Sequence, residues 1–270
     1  MESHQSRHPK FIIVIPARIE SQRLPRKLLL SDAGGIPVFE HTWRQAKKSR
    51  ADAVYVATDS AEIFEWCMSS DKVINVVSTG SFHQNGTSRV CEAVKKLRDS
   101  GVEIDSDIDW IINLQADEPE MDPRDIDLLI DEITYHQKAI GIAQIFTAVS
   151  ASVNDISNPS FVKAVLSNDS FIEQRSNRII YFTRKYIDRS FKHVGVYAYR
   201  PRILEWLSSF YERPICNPDN LEQIAWLAHG RVIYGVLIKH HQQGIDVQEQ
   251  YEAFVGRWHI KKQAKEIFSQ

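Results

Sequence analysis

Phe11-Ile-Ile-Val-Ile15 is a short, wholly apolar run, and the loop Pro16-Ala-Arg-Ile-Glu-Ser-Gln-Arg-Leu-Pro-Arg-Lys27 follows it directly. A β-branched apolar run of this length predicts a strand that is covered on both faces of a sheet. The loop has four cations within ten residues, and their side-chain charge can bind an anion where other loops use glycine backbone. A solvated basic turn has the same composition, but the position directly after a buried-type strand favours a triphosphate site.

Alternating strand and helix patterns continue from this strand through the first half of the chain. Strands are predicted at 11–15, 53–57, 73–77 and 110–114, and helices at 38–49, 61–69 and 86–98. This alternation predicts an α/β fold with a doubly wound, mostly parallel sheet. Ligands of such sheets bind beyond the carboxyl ends of the strands, so the loops 16–27, 58–60 and 115–119 are expected to face one crevice.

The second half is less regular and predicts a smaller antiparallel elaboration of the sheet. Its strands are predicted at 142–149, 160–166, 178–183, 194–199 and 232–238, and its helices at 201–211, 220–229 and after Asp246. No internal repeat and no linker-like segment separates the two halves. We therefore expect a single domain over residues 11–270, preceded by a disordered lead-in at residues 1–10.

The composition limits the classes of partner and compartment. The 270 residues have a formal net charge of −2, which does not favour non-specific nucleic-acid binding. No apolar stretch approaches the roughly 20 residues of a membrane span, and the amino terminus lacks the apolar core of a signal peptide. The cysteines have no CxxC spacing, which argues against a disulfide framework or a thiolate zinc site and predicts a cytoplasmic protein. They are Cys67, Cys91 and Cys216.

Acidic residues in two segments are candidates for a metal site. Asp117 and Glu118 follow the strand predicted at 110–114, and Asp246 lies before the terminal helix. Carboxylates at the end of a strand can hold Mg²⁺, which prefers oxygen ligands and bridges to substrate phosphates, although such residues serve as helix caps about as often. Across one crevice, Asp117 and Asp246 would complete a site that neutralises a triphosphate.

Other motifs narrow the class of enzyme. Neither GxxxxGK[ST] nor GxGxxG occurs, so the chain is neither a Walker NTPase nor a typical dinucleotide-binding protein. Asp105-Ser-Asp107 has the spacing of a glycosyltransferase metal motif but precedes its strand, which predicts a solvated turn. The segment 193–199 would place a histidine and two tyrosines on one face of a strand, suited either to a hydroxyl-rich ligand or to an aromatic ladder.

Taken in order along the chain, these motifs resemble those of the 3-deoxy-manno-octulosonate (Kdo) cytidylyltransferases, also called CMP-Kdo synthetases. The opening loop is similar to their signature loop, and further blocks follow in the family's order. These blocks are Ala57-Thr-Asp59, His83-Gln-Asn-Gly-Thr-Ser-Arg89, Asn113-Leu-Gln-Ala-Asp-Glu-Pro119, Tyr181-Phe-Thr-Arg184, His193-Val-Gly-Val-Tyr-Ala-Tyr-Arg200, Leu221-Glu-Gln223 and Gly244-Ile-Asp246. The ordered set covers most of the chain, and it implies the nucleotide-diphospho-sugar transferase-like variety of the α/β fold.

The resemblance implies a Mg²⁺-assisted nucleotidyltransferase that converts CTP and a 2-keto-3-deoxy sugar acid, Kdo or a close analogue, into the CMP-sugar and pyrophosphate. Residues that match the family's nucleotide site are Arg18, Ser21, Arg23, Lys27, Asn85, Arg89 and Gln115. Residues that match its sugar-acid pocket are Arg184, His193, Tyr197, Glu222 and Gln223. Asp117 and Asp246 match its metal ligands and, with Arg18 and Lys27, would carry the catalysis. The family also implies a homodimer and, with Kdo as substrate, a role in lipopolysaccharide biosynthesis.

Several positions depart from the family's pattern. The departures nearest the expected phosphates and metal are Arg26 for a glycine, Leu28 for a proline, Ala116 for a glycine and Val247 for a threonine. Two alternatives therefore stay open, a CMP-sialic acid synthetase-type enzyme and a catalytically weakened nucleotide-binding relative. The match to the sialic acid enzymes is poorer after position 180, and the metal aspartates and most loop cations survive, which favours an active Kdo-type enzyme.

Overall fold

The computed structural model describes residues 7–32, 34–69, 73–139, 145–151, 157–167, 176–209, 219–240 and 243–268. The strands are β1 (Phe11–Ala17), β2 (Ala53–Thr58), β3 (Val76–Ser78), β4 (Trp110–Leu114), β5 (Ile145–Ser150), β6 (Lys163–Leu166), β7 (Ser176–Thr183), β8 (Phe191–Tyr199) and β9 (Ile233–Ile238). The α-helices are α1 (Val38–Ala46), α2 (Ala61–Ser69), α3 (Gly86–Asp99), α4 (Pro123–Ala139), α5 (Pro201–Ser209), α6 (Glu222–Ala228) and α7 (Gln248–Phe268).

The four strands of the first half form a parallel sheet in the order β3-β2-β1-β4. β1 lies inside this sheet and all of its residues are buried, as its apolar run predicts. Helices α1, α2 and α3 connect the successive strands. Because the strands are parallel, the loops after β1 and β4 meet at one edge of the sheet, where ligands of such folds bind.

β8 joins the two halves of the sheet. It pairs antiparallel with β4 on one side and with β5 on the other, and the sheet continues in the order β5-β9-β7-β6. β6 also pairs with β8, which closes these five strands into a ring. Of the nine strands in the described residues, β7 and β8 alone run opposite to β1. The predicted mostly parallel α/β sheet with a smaller antiparallel elaboration is therefore confirmed.

Two apolar cores lie on opposite faces of the sheet. Alternate residues of β1 enter them, with Ile13 and Ile15 in one core and Ile12 and Val14 in the other. Helices α1, α2, α4 and α7 cover the first face, and α3, α5 and α6 cover the second. Burial on both faces makes the sheet doubly wound and explains why its inner strands read as unbroken apolar runs.

Several element boundaries differ from the predicted ones. The helix predicted at 38–49 ends at Ala46, because the next N–H groups turn back to the carbonyls of its last residues. The strand predicted at 73–77 covers Val76–Ser78, where it pairs with β2. The strand predicted at 160–166 begins at Lys163, because the residues before it form a turn around the Lys163 side chain.

The expected lead-in is partly described. Asp109 holds its last residues: the side chain of Arg7 donates to Asp109 Oδ2 at 3.0 Å, and the N–H of Lys10 donates to Asp109 Oδ1 at 2.8 Å. Residues 1–6, 142–144 and 210–211, for which predictions were made, lie outside the described residues, as does Cys216. Cys67 and Cys91 are free and buried. None of the helices in the described part of the chain combines the length and apolar composition needed to cross a bilayer.

Candidate active site

The basic loop after β1 is anchored by two leucines. Leu24 and Leu28 are buried in the first core, although the residues around them are polar. The N–H of Lys27 donates to the carbonyl of Leu24 at 3.2 Å and begins a 3-10 turn. This apolar anchor holds the loop against the sheet, so that Arg18, Arg23 and Lys27 all line the same cavity.

The ammonium group of Lys27 lies between two carboxylates. Its Nζ is 2.6 Å from Asp117 Oδ2 and 3.0 Å from Asp246 Oδ1, and it donates to the carbonyl of Ile245 at 2.9 Å. The N–H of Ile245 in turn donates to the carbonyl of Asp117 at 2.8 Å. The segment after β4 and the segment before α7 are therefore joined at this point, and the three hydrogens of the ammonium group each have an acceptor.

The three charges change one another's pKa values. Burial lowers the pKa of Lys27, but the charges of Asp117 and Asp246 outweigh burial and raise that pKa above its ordinary value. Burial raises the pKa of Asp117, and Lys27 only partly opposes this. Burial also acts to raise the pKa of Asp246, but Lys27 and Arg23 lower it overall, with Arg23 Nη2 at 2.8 Å. Lys27 therefore stays protonated, and its charge offsets those of the two carboxylates.

The two aspartates fit a hard divalent cation. Within the described ranges, no group of three or more His, Cys, Asp or Glu side chains could hold a metal ion by itself. Asp117 and Asp246 nevertheless present oxygen donors that already share one cation, the Lys27 ammonium. Mg²⁺ commonly takes one or two protein carboxylates and completes its six ligands with water and substrate phosphates. The donor set therefore suits Mg²⁺ only together with a phosphate-bearing ligand.

A cavity of about 570 Å³ lies beside this cluster. Most of the predicted site residues line it, namely Arg18, Ser21, Arg23, Lys27, Asn85, Arg89, Gln115, Asp117, Tyr197, Glu222 and Asp246. The other predicted residues, Arg184, His193 and Gln223, are absent from its lining. Arg18 has no hydrogen bond or ion pair with any residue that the structure describes. Its guanidinium is therefore available to an anion.

The two predicted nucleotide residues of α3 have structural partners. Asn85 caps the helix, because its Oδ1 accepts the N–H of Ser88 at 2.9 Å. Arg89 is buried and donates to Asp59 Oδ2 at 2.8 Å and to Thr79 Oγ1 at 2.6 Å. These bonds tie α3 to the ends of β2 and β3. Asn85 and Arg89 therefore stabilise the part of α3 that lines the cavity.

Gln115 is fixed by close packing. Its Nε2 donates to Asn113 Oδ1 at 3.0 Å. A Cβ atom at Gly86 would lie 3.0 Å from that Nε2 and 3.2 Å from Pro16 Cγ, and a Cβ at Gly195 would lie 3.0 Å from Gln115 Cγ. Both glycines therefore permit a backbone approach that a larger residue would obstruct, and they hold Gln115 in the cavity lining.

His83 lines the cavity, although the sequence prediction gave it no role. Its Nδ1 is 3.1 Å from Ser88 Oγ, and its Nε2 is hydrogen-bonded to Glu92. Burial acts to raise the pKa of Glu92, but hydrogen bonds from Lys96, the Gly80 N–H and His83 lower it to about 2. Ser88 and Glu92 are four residues apart on α3 and so present one face to His83. The four-residue spacing of Ser88 and Glu92 is the sequence signal from which the position of His83 could have been predicted.

Four of the predicted sugar-acid residues lie at or near Tyr197: two line the cavity, and two contact Tyr197 without lining it. Tyr197 and Glu222 line the cavity, and Glu222 accepts a hydrogen bond from Thr87 Oγ1 at 3.1 Å. Gln223 donates its Nε2 to the hydroxyl of Tyr197, and the ring of His193 lies 5.2 Å from the Tyr197 ring. Gln223 and His193 therefore lie behind Tyr197. Burial raises the pKa of Tyr197 well above its ordinary value, so the phenol stays protonated.

Arg184 lies apart from the cavity lining and is held largely through its backbone. Its N–H donates to Asp219 Oδ2 at 2.9 Å, and its carbonyl accepts from Lys163 Nζ at 2.8 Å. The guanidinium donates from Nη1 to the carbonyl of Ser160 at 3.0 Å. The structure therefore brings the predicted nucleotide and metal residues together in one cavity, whereas Arg184 is not among the residues that line it.

Three of the departures from the resembled family have a local partner. Arg26 adopts left-handed backbone, with φ of 55°, and its guanidinium is hydrogen-bonded to Glu62. Ala116 is buried, and its carbonyl accepts from Thr42 Oγ1 at 2.8 Å. The N–H of Val247 is capped by a glutamine in the first turn of α7 at 3.1 Å. The phosphate side of the cavity therefore keeps its cluster of charges despite these departures.

Comparisons with known proteins agree on one family. The sequence model of the family described as Cytidylyltransferase matches residues 12–249. The 3-deoxy-manno-octulosonate cytidylyltransferase of Coxiella burnetii is 34% identical over 253 residues, which are 90% of this chain and 97% of that relative. The enzyme of the same name from Francisella tularensis is 32% identical over 252 residues, which are 89% of this chain and 95% of that relative.

Solved structures support the same grouping. A structure of CMP:2-keto-3-deoxy-manno-octonic acid synthetase complexed with CTP superposes with a TM-score of 0.77 and 28% identity, and covers 93% of this chain and 99% of that one. A putative glucose-1-phosphate thymidylyltransferase from Bacillus anthracis gives a TM-score of 0.62 at 14% identity over 90% of this chain and 93% of that one. The second match shows a shared fold, and the first extends to the sequence as well.

Proposed function

The chain belongs to the cytidylyltransferase family, and on that premise we propose that it transfers the cytidylyl group of CTP to the anomeric hydroxyl of Kdo or a close 2-keto-3-deoxy sugar acid. The observation that carries the proposal is the position of Lys27 between Asp117 and Asp246, beside a cavity that Arg18 also lines. Cations and carboxylates in this arrangement suit a triphosphate bound together with a divalent cation.

The proposed reaction forms one bond to phosphorus and breaks another. The oxygen of the anomeric hydroxyl bonds to the α-phosphorus of CTP, the bond from that phosphorus to the bridging oxygen breaks, and pyrophosphate leaves with the electron pair. The hydroxyl proton passes to solvent. Negative charge grows on the leaving pyrophosphate, so catalysis depends on positioning and on charge neutralisation. Arg18, Arg23 and Lys27 are the cations of the basic loop that line the cavity and would neutralise this charge.

Asp117 and Asp246 would hold Mg²⁺ together with the phosphates. When bound, this ion supplies further neutralisation of the triphosphate and lowers the pKa of a coordinated hydroxyl. Arrival of a triphosphate would offer Lys27 phosphate oxygens in place of its two carboxylate partners. The ammonium group thereby keeps the carboxylates from repelling each other before substrate binds and contacts the leaving group afterwards.

Tyr197 and Glu222 would bind the hydroxyl groups of the sugar acid, since both line the cavity and carry oxygen atoms. Gln223 and His193 would fix the Tyr197 ring from behind. Arg184 is the proposed partner of the substrate carboxylate, because guanidinium and carboxylate form paired, charge-assisted hydrogen bonds. Binding in this way requires the Arg184 guanidinium to exchange the Ser160 carbonyl for the substrate.

We also propose that the enzyme works as a cytoplasmic homodimer. Exposed apolar side chains near β7, with Ile180 at 54%, Tyr181 at 43% and Tyr186 at 58% exposure, would be covered by a second copy of the chain. The free thiols of Cys67 and Cys91 suit a reducing compartment. Light scattering on the purified protein tests the dimer, and a monomer mass at micromolar concentration would contradict it.

The activity is tested by pyrophosphate release from CTP and Mg²⁺ with a panel of sugar acids. Kdo or a 2-keto-3-deoxy analogue is expected to give turnover that depends on both substrates. ATP and UTP in place of CTP, and omission of the sugar acid, are the controls. Turnover with a nine-carbon sialic acid alone would assign the substrate to the sialic acid enzymes. Binding of Mg·CTP without turnover on any sugar acid would identify a weakened, nucleotide-binding relative.

A further inference from the structure

A fully buried lysine contacts Arg184, one of the proposed sugar-acid residues. Lys163 is the first residue of β6, and its side chain is 0% exposed. Its Nζ donates to the carbonyls of Asn158 at 2.6 Å, Phe161 at 3.0 Å and Arg184 at 2.8 Å. An ammonium group has three hydrogens, and three backbone acceptors offset much of the cost of removing its charge from water.

The third of these acceptors belongs to the residue that is proposed to bind the substrate carboxylate. The Arg184 carbonyl receives the Lys163 ammonium, and the Arg184 N–H donates to Asp219 Oδ2 at 2.9 Å. Thr183 Oγ1 donates to the same carboxylate oxygen at 2.8 Å. The Arg184 N–H and Thr183 hydroxyl lower the pKa of Asp219, which therefore stays ionised at neutral pH. A cation and an anion thus hold the backbone of Arg184 from its two sides.

The other two acceptors shape the turn that precedes β6. The carbonyls of Asn158 and Phe161 both point at the ammonium group, and the Ser160 carbonyl between them receives the Arg184 guanidinium at 3.0 Å. The Val162 carbonyl at the end of this turn accepts the N–H of His193 at 2.9 Å. One buried ammonium group therefore organises a turn that contacts both Arg184 and His193.

A buried charge at a strand position needs a physical reason, because an apolar side chain of similar volume would pack there without a desolvation cost. The distinctive property of Lys163 is that it links carbonyls from two separate chain segments, 158–161 and 184. We propose that Lys163, assisted by Asp219, is a positioning residue that sets the backbone of Arg184 for sugar-acid recognition. This inference rests on the proposed function of Arg184.

The first test needs no substrate and uses the whole chain. Amide hydrogen exchange is compared between wild type and Lys163→Met, which keeps a long side chain but removes the ammonium group. Exchange at residues 183–185 is expected to accelerate by about tenfold or more, while α7 stays unchanged. The variant Lys239→Met, an exposed lysine that follows β9, is the matched control and is expected to exchange like wild type at residues 183–185. Unchanged exchange at 183–185 in Lys163→Met would overturn the inference.

The second test separates positioning from simple destabilisation. Lys163→Met is expected to raise KM for the sugar acid by about tenfold while KM for CTP stays within about twofold, because only one substrate end is displaced. Asp219→Asn, at a site near the surface, is expected to give the same split more weakly and serves if Lys163→Met fails to fold. Lys163→Arg keeps the charge, but its planar fork suits three converging carbonyls poorly, so only partial rescue is expected.

A double-mutant comparison tests whether Lys163 affects sugar-acid binding through Arg184. In the background of Arg184→Ala, Lys163→Met is expected to raise KM for the sugar acid no further, because its effect acts through Arg184. A further rise of similar size in that background, or an equal rise in KM for CTP, would overturn the inference. Absence of turnover in wild type would instead defeat the proposed function, and the hydrogen-exchange result would then decide the positioning role alone.

Discussion

The residues proposed to bind phosphate and metal (the phosphate side: Lys27, Asp117 and Asp246) and those proposed to bind the sugar acid (the sugar side: Tyr197, Arg184 and the residues that hold them) are positioned in different ways. On the phosphate side, the Lys27 side chain contacts those of Asp117 and Asp246 at 2.6 and 3.0 Å. On the sugar side, Arg184 is held through its backbone by Lys163 and Asp219. The first arrangement belongs to loops after parallel strands, and the second belongs to the ring of strands in the second half.

The two constructions respond differently when substrate arrives. Side chains that neutralise one another can exchange partners with an incoming triphosphate while the backbone stays in place. Groups held through the backbone keep a fixed shape and therefore select among substrates. We expect changes on the phosphate side to reduce the rate of the chemical step, and changes on the sugar side to weaken binding of one substrate.

The largest effect is expected for Lys27→Met. The substitution removes a cation from the leaving phosphates and leaves Asp117 and Asp246 without their shared partner. We expect kcat/KM for pyrophosphate release to fall by about 10³-fold, in line with the loss of a preorganised charge in a partly buried site. Lys47→Met, an exposed lysine at the end of α1, is the control and should keep wild-type kinetics. Near-normal turnover in Lys27→Met would show that the Lys27 charge does not contribute to the chemical step.

A somewhat smaller loss is expected for Asp117→Asn. The amide keeps the shape of the side chain but removes its charge, so we expect turnover to fall by about 10²-fold. Thermal stabilisation by Mg·CTP should largely vanish, whereas CTP in EDTA should stabilise the variant and wild type equally. Asp99→Asn, at the exposed end of α3, is the control. Unchanged stabilisation by Mg·CTP in Asp117→Asn would exclude the metal role assigned to this carboxylate.

The sugar side is tested by Tyr197→Phe. The substitution deletes the hydroxyl that accepts the Gln223 amide and leaves that buried amide without this partner. One such hydrogen bond contributes about 1 kcal/mol, so we expect KM for the sugar acid to rise by about fivefold. KM for CTP should stay the same, and Tyr135→Phe, an exposed tyrosine on α4, should leave both values unchanged. An equal rise in KM for the sugar acid and for CTP would show that Tyr197 does not act on the sugar acid alone.

The phosphate side could be predicted from the sequence because its information is local. β1 and β4 are covered on both faces and so read as apolar runs. The loops after parallel strands necessarily meet at one edge, which places Lys27 near Asp117 without knowledge of any other contact. Asp246 comes from a distant segment, so its pairing with Asp117 across one crevice was a weaker expectation, which the resemblance to a family motif strengthened.

The sugar side could not be predicted to the same depth because its contacts are long-range. The pattern around Lys163 suggested a strand from residue 160, and nothing in it indicates that this lysine turns inward to the carbonyl of Arg184. The alternation over 193–199 suited Tyr197 and Tyr199 equally to a ligand or to an aromatic ladder; Tyr197 lines the cavity, whereas Tyr199 is fully buried. The closure of β6 on β8 depends on pairings that local patterns do not encode.

A smaller effect on stability is expected for Glu92→Gln, at the contact with His83. Hydrogen bonds lower the pKa of Glu92 to about 2, from an ordinary value of 4.5. The stabilisation from a carboxylate with a depressed pKa is complete above pH 4.5 and is lost as the pH falls toward 2. Glu92→Gln should therefore lower Tm by roughly 2–4 °C at pH 7, and the difference should shrink below pH 4.5.

The control for this pH profile is Glu65→Gln, an exposed glutamate on α2, which should track wild type at every pH. Thermal unfolding followed by circular dichroism at several pH values between 7 and 3 provides the measurement. A difference that stays constant over this range would show that the Glu92 charge does not provide the stabilisation.

The smallest effect is expected for Arg26→Gly, which restores the residue of the resembled family. The left-handed φ of 55° is strained for arginine and free of strain for glycine, so the substitution relieves the loop. It also removes the exposed ion pair with Glu62 and gives the unfolded chain more freedom, and both effects oppose the gain. We expect Tm to change by less than about 2 °C and KM for CTP by less than about twofold.

Because Lys27 is anchored by Leu24 and by its two aspartates, the loop should keep its position without Arg26. A large rise in KM for CTP would instead mean that Arg26 itself contacts the phosphates, and the phosphate side would then extend beyond the cluster around Lys27.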